Sequence, residues 1–235
     1  MGVDIVIDLY GFGGALALGT WGTIKIMISA LAIGLITGLF GAWAKLSGIR
    51  LFVWFTELWT LVIRGVPELI LILFVYFGGS IVLGRFAALF GYDIYIEINP
   101  LLAAVATLGV VFGAYATDVF RVSIQAVPTG EIEAAKSIGM KTTTVLRRIL
   151  IPQIWRYALP GLGNLFMILQ KDTALVSVIG LNELMRNTSQ AVAFTKKPFV
   201  FYIVASLIYL GITTITTIIL QNLEKRANRG VGRAI

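Results

Sequence analysis

The chain has 235 residues, 58% of them apolar and only 13% charged, and its mean hydropathy of +0.90 lies far above that of ordinary soluble domains. Nineteen Lys and Arg against twelve Asp and Glu give a net charge of +7; such a balance would suit nucleic acid, but the basic residues sort by membrane side instead. Without Cys or His, the chain can form no disulfide, zinc knuckle or thiol nucleophile, and it lacks the commonest general base and metal ligand.

The first ten residues carry Asp4 and Asp8 but no basic residue, so they lack the positive region of a signal peptide. Val6 stands where a myristoylation signal needs Ser or Thr. A spanning helix needs about 20 apolar residues, because a rise of about 1.5 Å per residue must cross about 30 Å of hydrocarbon. Five segments approach that length, at about 24–44, 58–83, 100–120, 157–181 and 198–222. The second is interrupted by Arg64, Pro67 and Glu68, and the fourth by the adjacent Lys171 and Asp172.

Five spans place the termini on opposite sides. Twelve Lys and Arg fall in one set of connections, comprising Lys45 and Arg50, the stretch 121–156 and the tail 223–235. Four fall in the other, Arg85, Arg186, Lys196 and Lys197. The positive-inside rule then puts the N-terminus outside and the tail in the cytoplasm. The tail residues Glu224, Lys225, Arg226, Arg229 and Arg233 read as a basic stop-transfer flank, with an RNA or lipid-headgroup patch as the alternative.

The stretch 121–156 between the third and fourth spans is too long for a passive connector. Glu131 to Ile138 has a short helical pattern with Glu131 and Glu133 at its N-terminal end, and Gly139 stands where a helix C-terminus favours a left-handed residue. A second helix is signalled by Thr142 or Thr143 as N-cap, the apolar Val145, Ile149 and Leu150, and Pro152 as a stop. Two short helices joined by a glycine turn read either as a docking module or as an amphipathic surface loop.

These residues resemble a known family. Glu133-Ala134-Ala135, three residues, Gly139, nine residues, Ile149, one residue and Ile151-Pro152 are similar to the EAA loop of permease subunits of bacterial binding-protein-dependent ABC importers. The family usually has Leu at the position of Ile151. The similarity extends over Thr60 to Glu68, Gly113-Ala114-Tyr115 with Asp118 and Arg121, Arg156 to Gly161, Gly163-Asn164 and Lys171 to Ile179. It is greatest for permeases for histidine, lysine, arginine and ornithine and for the opines octopine and nopaline. Glu is commoner there at the position of Asp118, so the presumed Asp118/Arg121 pair is slightly shortened here.

The resemblance implies an all-α integral membrane protein of five transmembrane helices, a type I ABC importer transmembrane domain with cytoplasmic coupling helices, filling residues 1–235 as one domain. It further implies a second homologous permease subunit, an ATPase dimer that docks the loop through Glu133, Ala134, Ala135, Gly139, Ile149 and Pro152, and a periplasmic or extracytoplasmic solute-binding protein. The location implied is the bacterial cytoplasmic (inner) membrane, among lipid and without nucleic acid. No G-x-x-x-x-G-K-[ST] phosphate loop occurs, so ATP and Mg belong to the partner ATPase, this chain binds no cofactor, and it is not itself an enzyme.

Ionisable residues at membrane depth normally face a partner or a water-filled cavity. Arg64 and Glu68 are four apart and on one helical face, as a structural pair beside the Pro67 kink or as solute contacts. Asn164 and Lys171 share a face two turns apart, with Asp172 about 80° further round. This set reads either as contacts for the carboxylate and ammonium of an amino acid or as an internal or inter-subunit pair. In relatives of the family the solute contacts this segment, which assigns Asn164 and Asp172 to the path, and an acidic Asp172 suits a basic side chain or an opine guanidinium. The alternative function is an ion-coupled secondary carrier or channel without an ATPase; five spans and no inverted repeat count against it.

Overall fold

The computed structural model describes residues 9–92 and 97–228. Expectations resting on Asp4, Val6, Asp8, Arg229 and Arg233 fall outside the described residues. Among the described residues the chain is helical without any strand: α1 (Gly13–Leu46), α2 (Arg50–Gly65), α3 (Glu68–Leu89), α4 (Pro100–Gln125), α5 (Thr129–Ser137), α6 (Thr142–Ile179), α7 (Leu184–Thr195) and α8 (Pro198–Ala227). Five of them, α1, α3, α4, α6 and α8, are long and apolar enough to cross a membrane.

The central helix is α4, with 67% of its apolar window buried. Asn99 caps it, its side chain accepting from the Leu101 amide at 2.8 Å, and Pro100 occupies the first turn where no donor is missed. Gly34 meets Phe112, Gly38 meets Ala116 and Gly41 meets Thr117, so numbers rise together and α1 and α4 run parallel. Small-xxx-small pairs face each other here, Gly34/Gly38 on α1 and Gly109/Gly113 on α4. A Cβ on Gly38 would come within 3.2 Å of the Gly113 carbonyl oxygen. Such backbone proximity supplies the dispersion that holds helices together where no hydrophobic force acts between them. The fourth span, α6, packs antiparallel to both α4 and α8, with Gly161 against Val119, Gly163 against Leu220 and Gln170 bonded to Thr213.

The outside is as apolar as a bilayer requires: Trp21, Trp43, Trp54, Phe74 and Leu210 are exposed, whereas α2 turns Thr56 and Thr60 inward. An apolar exterior around an apolar core suits lipid, where the backbone groups are satisfied within each helix.

Three expected boundaries move. The first span begins at Gly13 rather than near residue 24, because Lys25 lies exposed on the helix surface and one charged side chain leaves the backbone ladder intact. The second expected span, 58–83, is two helices. Val66 is extended (φ −108°, ψ 132°) before Pro67, as the proline ring demands of its predecessor, so α2 ends at Gly65 and the span is α3. The fourth begins at Thr142 and runs through Pro152, which was expected to end a helix. A π-helical turn at Leu146–Leu150 widens the backbone just before it, so the absent N–H and the ring meet a bond pattern already shifted by one residue.

Candidate functional site

At one end of the bundle α5 forms a free-standing short helix between α4 and α6. Gly139 ends it with φ +80°; its amide bonds the Lys136 carbonyl at 2.9 Å and the Met140 amide bonds the Ala135 carbonyl at 3.1 Å. This double closure is the Schellman motif, whose left-handed position costs glycine nothing. Glu133, Ala134, Gly139 and Pro152 are exposed, Ala135 is buried and Ile149 half-buried. Gln153 of α6 donates to the Glu131 carboxylate, and Ala135 anchors the helix from beneath. The outcome is a helix braced on one side and open on the other.

Above it, Asp118 of α4 ties three elements together. Its carboxylate meets Lys45 of α1 at 3.1 Å, Arg64 of α2 at 2.7 Å and Arg121 one turn on at 3.3 Å. Arg64 also lies 4.9 Å from the Tyr115 ring centroid and donates to the Ala114 carbonyl. The expected Arg64/Glu68 pair is therefore corrected. The break at Val66–Pro67 removes the continuous helix on which the four-residue spacing depended, and Arg64 turns to Asp118 instead. A cavity of about 660 Å³ opens beside this cluster, lined by Lys45, Trp54, Glu57, Thr60 and Arg64 among others.

Glu68 opens α3, where the helix dipole favours a carboxylate. The first turns of its helix pack against Thr173–Ile179, the segment that follows Asp172. Glu68 and Asp172 thus belong to neighbouring elements. Asp172 is half-buried and lines a narrow cleft with Tyr115, Phe112 and Leu108 of α4. Its neighbour Lys171 diverges toward α8, into a cavity of about 280 Å³ with Tyr202, Ser206 and Tyr209. No Lys171–Asp172 ion pair forms among the described residues. Asn164 is exposed on the same face as Lys171.

One polar centre had no counterpart in the reading of the sequence. Glu183 is fully buried at the start of α7, where its carboxylate accepts from the Met185 amide at 2.8 Å and the Arg186 amide at 2.6 Å. Thr23 of α1 and Tyr209 of α8 approach the same group at 3.4 and 3.5 Å. Burial raises this carboxyl to about 7, against the opposing pull of those donors. The available signal was local: a polar Asn182-Glu183 step just before an amphipathic helix, the position where a side chain caps the exposed amides. The partners that make it a junction lie 160 and 26 residues away.

Residues 30–229 match the family described as binding-protein-dependent transport system inner membrane component. The chain is 43% identical to the histidine/lysine/arginine/ornithine transport system permease protein HisQ of Escherichia coli (strain K12), over 96% of this chain and 99% of that protein. It is 46% identical to the nopaline transport system permease protein NocQ of Agrobacterium fabrum, over 94% of each. Among solved structures, a crystal structure of an amino acid ABC transporter with histidines superposes with a TM-score of 0.78 at 32% identity, over 94% of this chain and 97% of that one. An inward-facing methionine ABC transporter shares the fold at 16% identity and a TM-score of 0.71, over 93% and 99%.

Proposed function

The chain belongs to the binding-protein-dependent transport system inner membrane components, and from that premise we propose that it is the permease subunit of an ABC importer for basic amino acids or opines. It pairs with a second, homologous permease subunit in the bacterial cytoplasmic membrane, N-terminus outside and C-terminus in the cytoplasm. A solute-binding protein delivers cargo to the outer face. ATP and Mg are bound by a partner ATPase dimer, and this chain catalyses nothing itself.

The coupling is mechanical. The outer side of α5, with Glu133 and Ala134, seats in the ATPase, while the buried Ala135 and the Glu131–Gln153 bond brace its inner side against α6 and the Gly139 turn closes its end. When the ATPase dimer closes, the short rigid helix carries the cytoplasmic ends of α4 and α6 with it. Movement of those ends changes which side of the membrane the path faces.

The preference for a basic solute rests on one observation: Glu68 and Asp172 are carried by packed neighbouring elements, α3 and the last turns of α6, while Lys171 turns away toward α8. Carboxylates on neighbouring elements favour a cation in that region. The test is uptake of labelled arginine, histidine, octopine and nopaline into proteoliposomes holding both permeases and the ATPase, with binding protein outside and ATP trapped inside. Uptake should require both ATP and binding protein, and Asp172→Asn should lower uptake of the basic solutes about ten-fold. Uptake that ignores ATP but follows an imposed ion gradient would overturn the importer reading, and unchanged kinetics in Asp172→Asn would remove that residue from the path.

A further inference from the structure

Between α1, α6 and α8 the bundle leaves an open groove of about 450 Å³, away from Asp118 and Asp172. It runs from Ile24, Phe166 and Ile212 at one end to Leu35, Trp155 and Leu223 at the other. Each helix contributes a strip twelve residues long, eleven rises of about 1.5 Å or about 16 Å. That is half of a hydrocarbon core about 30 Å thick, so the groove is one leaflet deep. A partner's spanning helix would need a furrow twice as long.

The Leu223 end is also the charged end. Arg226 continues the α8 stripe three residues beyond Leu223, with Lys225 and Glu224 beside it, and Arg156 follows Trp155 on α6. Arg156 turns instead to Tyr157, lying 4.7 Å from its ring centroid and donating to its hydroxyl at 2.7 Å, away from the groove lining. Arg226 and Lys225 against Glu224 leave this mouth net positive. An acyl chain gains little by exchanging lipid neighbours for leucine-like walls, so the groove supplies shape and the basic mouth supplies the preference for a headgroup.

From this we infer that the groove seats an acyl chain of an anionic phospholipid of the cytoplasmic leaflet, its phosphate held by Arg226. The inference rests on the membrane orientation proposed above.

Because the chain has no cysteine, Ile219→Cys in the groove accepts a fluorophore cleanly, and Val82→Cys on the exposed face of α3 serves as control. The labelled, fully assembled transporter is placed in bilayers containing brominated phosphatidylglycerol or brominated phosphatidylcholine. At Ile219, phosphatidylglycerol should quench about five-fold more effectively at equal mole fraction, the discrimination one near-surface basic residue provides. Arg226→Gln should abolish that difference and Arg226→Lys should retain it, whereas Arg156→Gln should leave it in place. Equal quenching by both lipids at Ile219, or none while Val82 is quenched, would overturn the lipid site, the second outcome meaning that protein fills the groove. Loss of quenching at Val82 as well would instead overturn the membrane-spanning reading beneath it.

Discussion

Two carboxylates tie α1 to the rest of the bundle, one at each end, and they are satisfied in opposite ways. Asp118 is partly exposed and surrounded by Lys45, Arg64 and Arg121. Glu183 is fully buried, and among the described residues only neutral donors serve it: two backbone amides and the hydroxyls of Thr23 and Tyr209. A carboxylate held by cations at a wet edge is replaceable, since screening and side-chain entropy keep each such bridge weak. One held by neutral donors in the interior is a cap and a packing element at once, and its ionisation is costly. The Glu183 junction should therefore be the more easily broken by substitution and the more sensitive to pH.

Removing Glu183 gives the larger stability effect. Glu183→Ala strips the cap from α7 and leaves a cavity where α1, α7 and α8 meet, at a cost of about 3 kcal/mol, read by thermal unfolding of the detergent-solubilised chain. Asp118→Asn should cost only about 1 kcal/mol in the same assay, because the amide oxygen still accepts from the cations around it. Equal losses at the two sites would break the comparison.

The pH dependence sharpens it. The folded carboxyl of Glu183 sits near 7, above the ordinary 4.5 of an unfolded glutamate, so between those values the folded chain holds a proton that the unfolded chain has lost. Stability from this group is complete below about 4.5, declines as pH rises and is gone above about 7, a change of at most about 3 kcal/mol. The melting temperature should fall by about 5 °C from pH 5 to pH 8. Glu183→Gln should flatten that fall while Asp118→Asn leaves it in place; an unaltered slope in Glu183→Gln would assign the titration elsewhere.

What the sequence made legible follows from the range of each interaction. The α5 loop is written locally: Glu133 to Pro152 falls within twenty residues, and the Gly139 turn closes on carbonyls three and five residues back. Three of the five spans are legible as uncharged apolar runs, whereas the charges of the second and fourth obscure their bounds. The Arg64/Glu68 pairing failed because one residue, Pro67, ended the helix on which the spacing was counted. Pro152 was misjudged as a stop because the π turn before it has no clear signature in composition. Glu183 escaped because its importance comes from Thr23 and Tyr209, which only the folded bundle brings near.

The account stands on the claim that α5 transmits ATPase closure to α4 and α6. Gly139→Asp tests it most directly, since aspartate tolerates the left-handed turn at about 1 kcal/mol while adding charge at the docking surface. ATP-driven arginine uptake by the reconstituted importer should fall at least ten-fold, with the chain still inserted and assembled with the second permease. Normal ATP-driven uptake by that variant would contradict the coupling role of this loop.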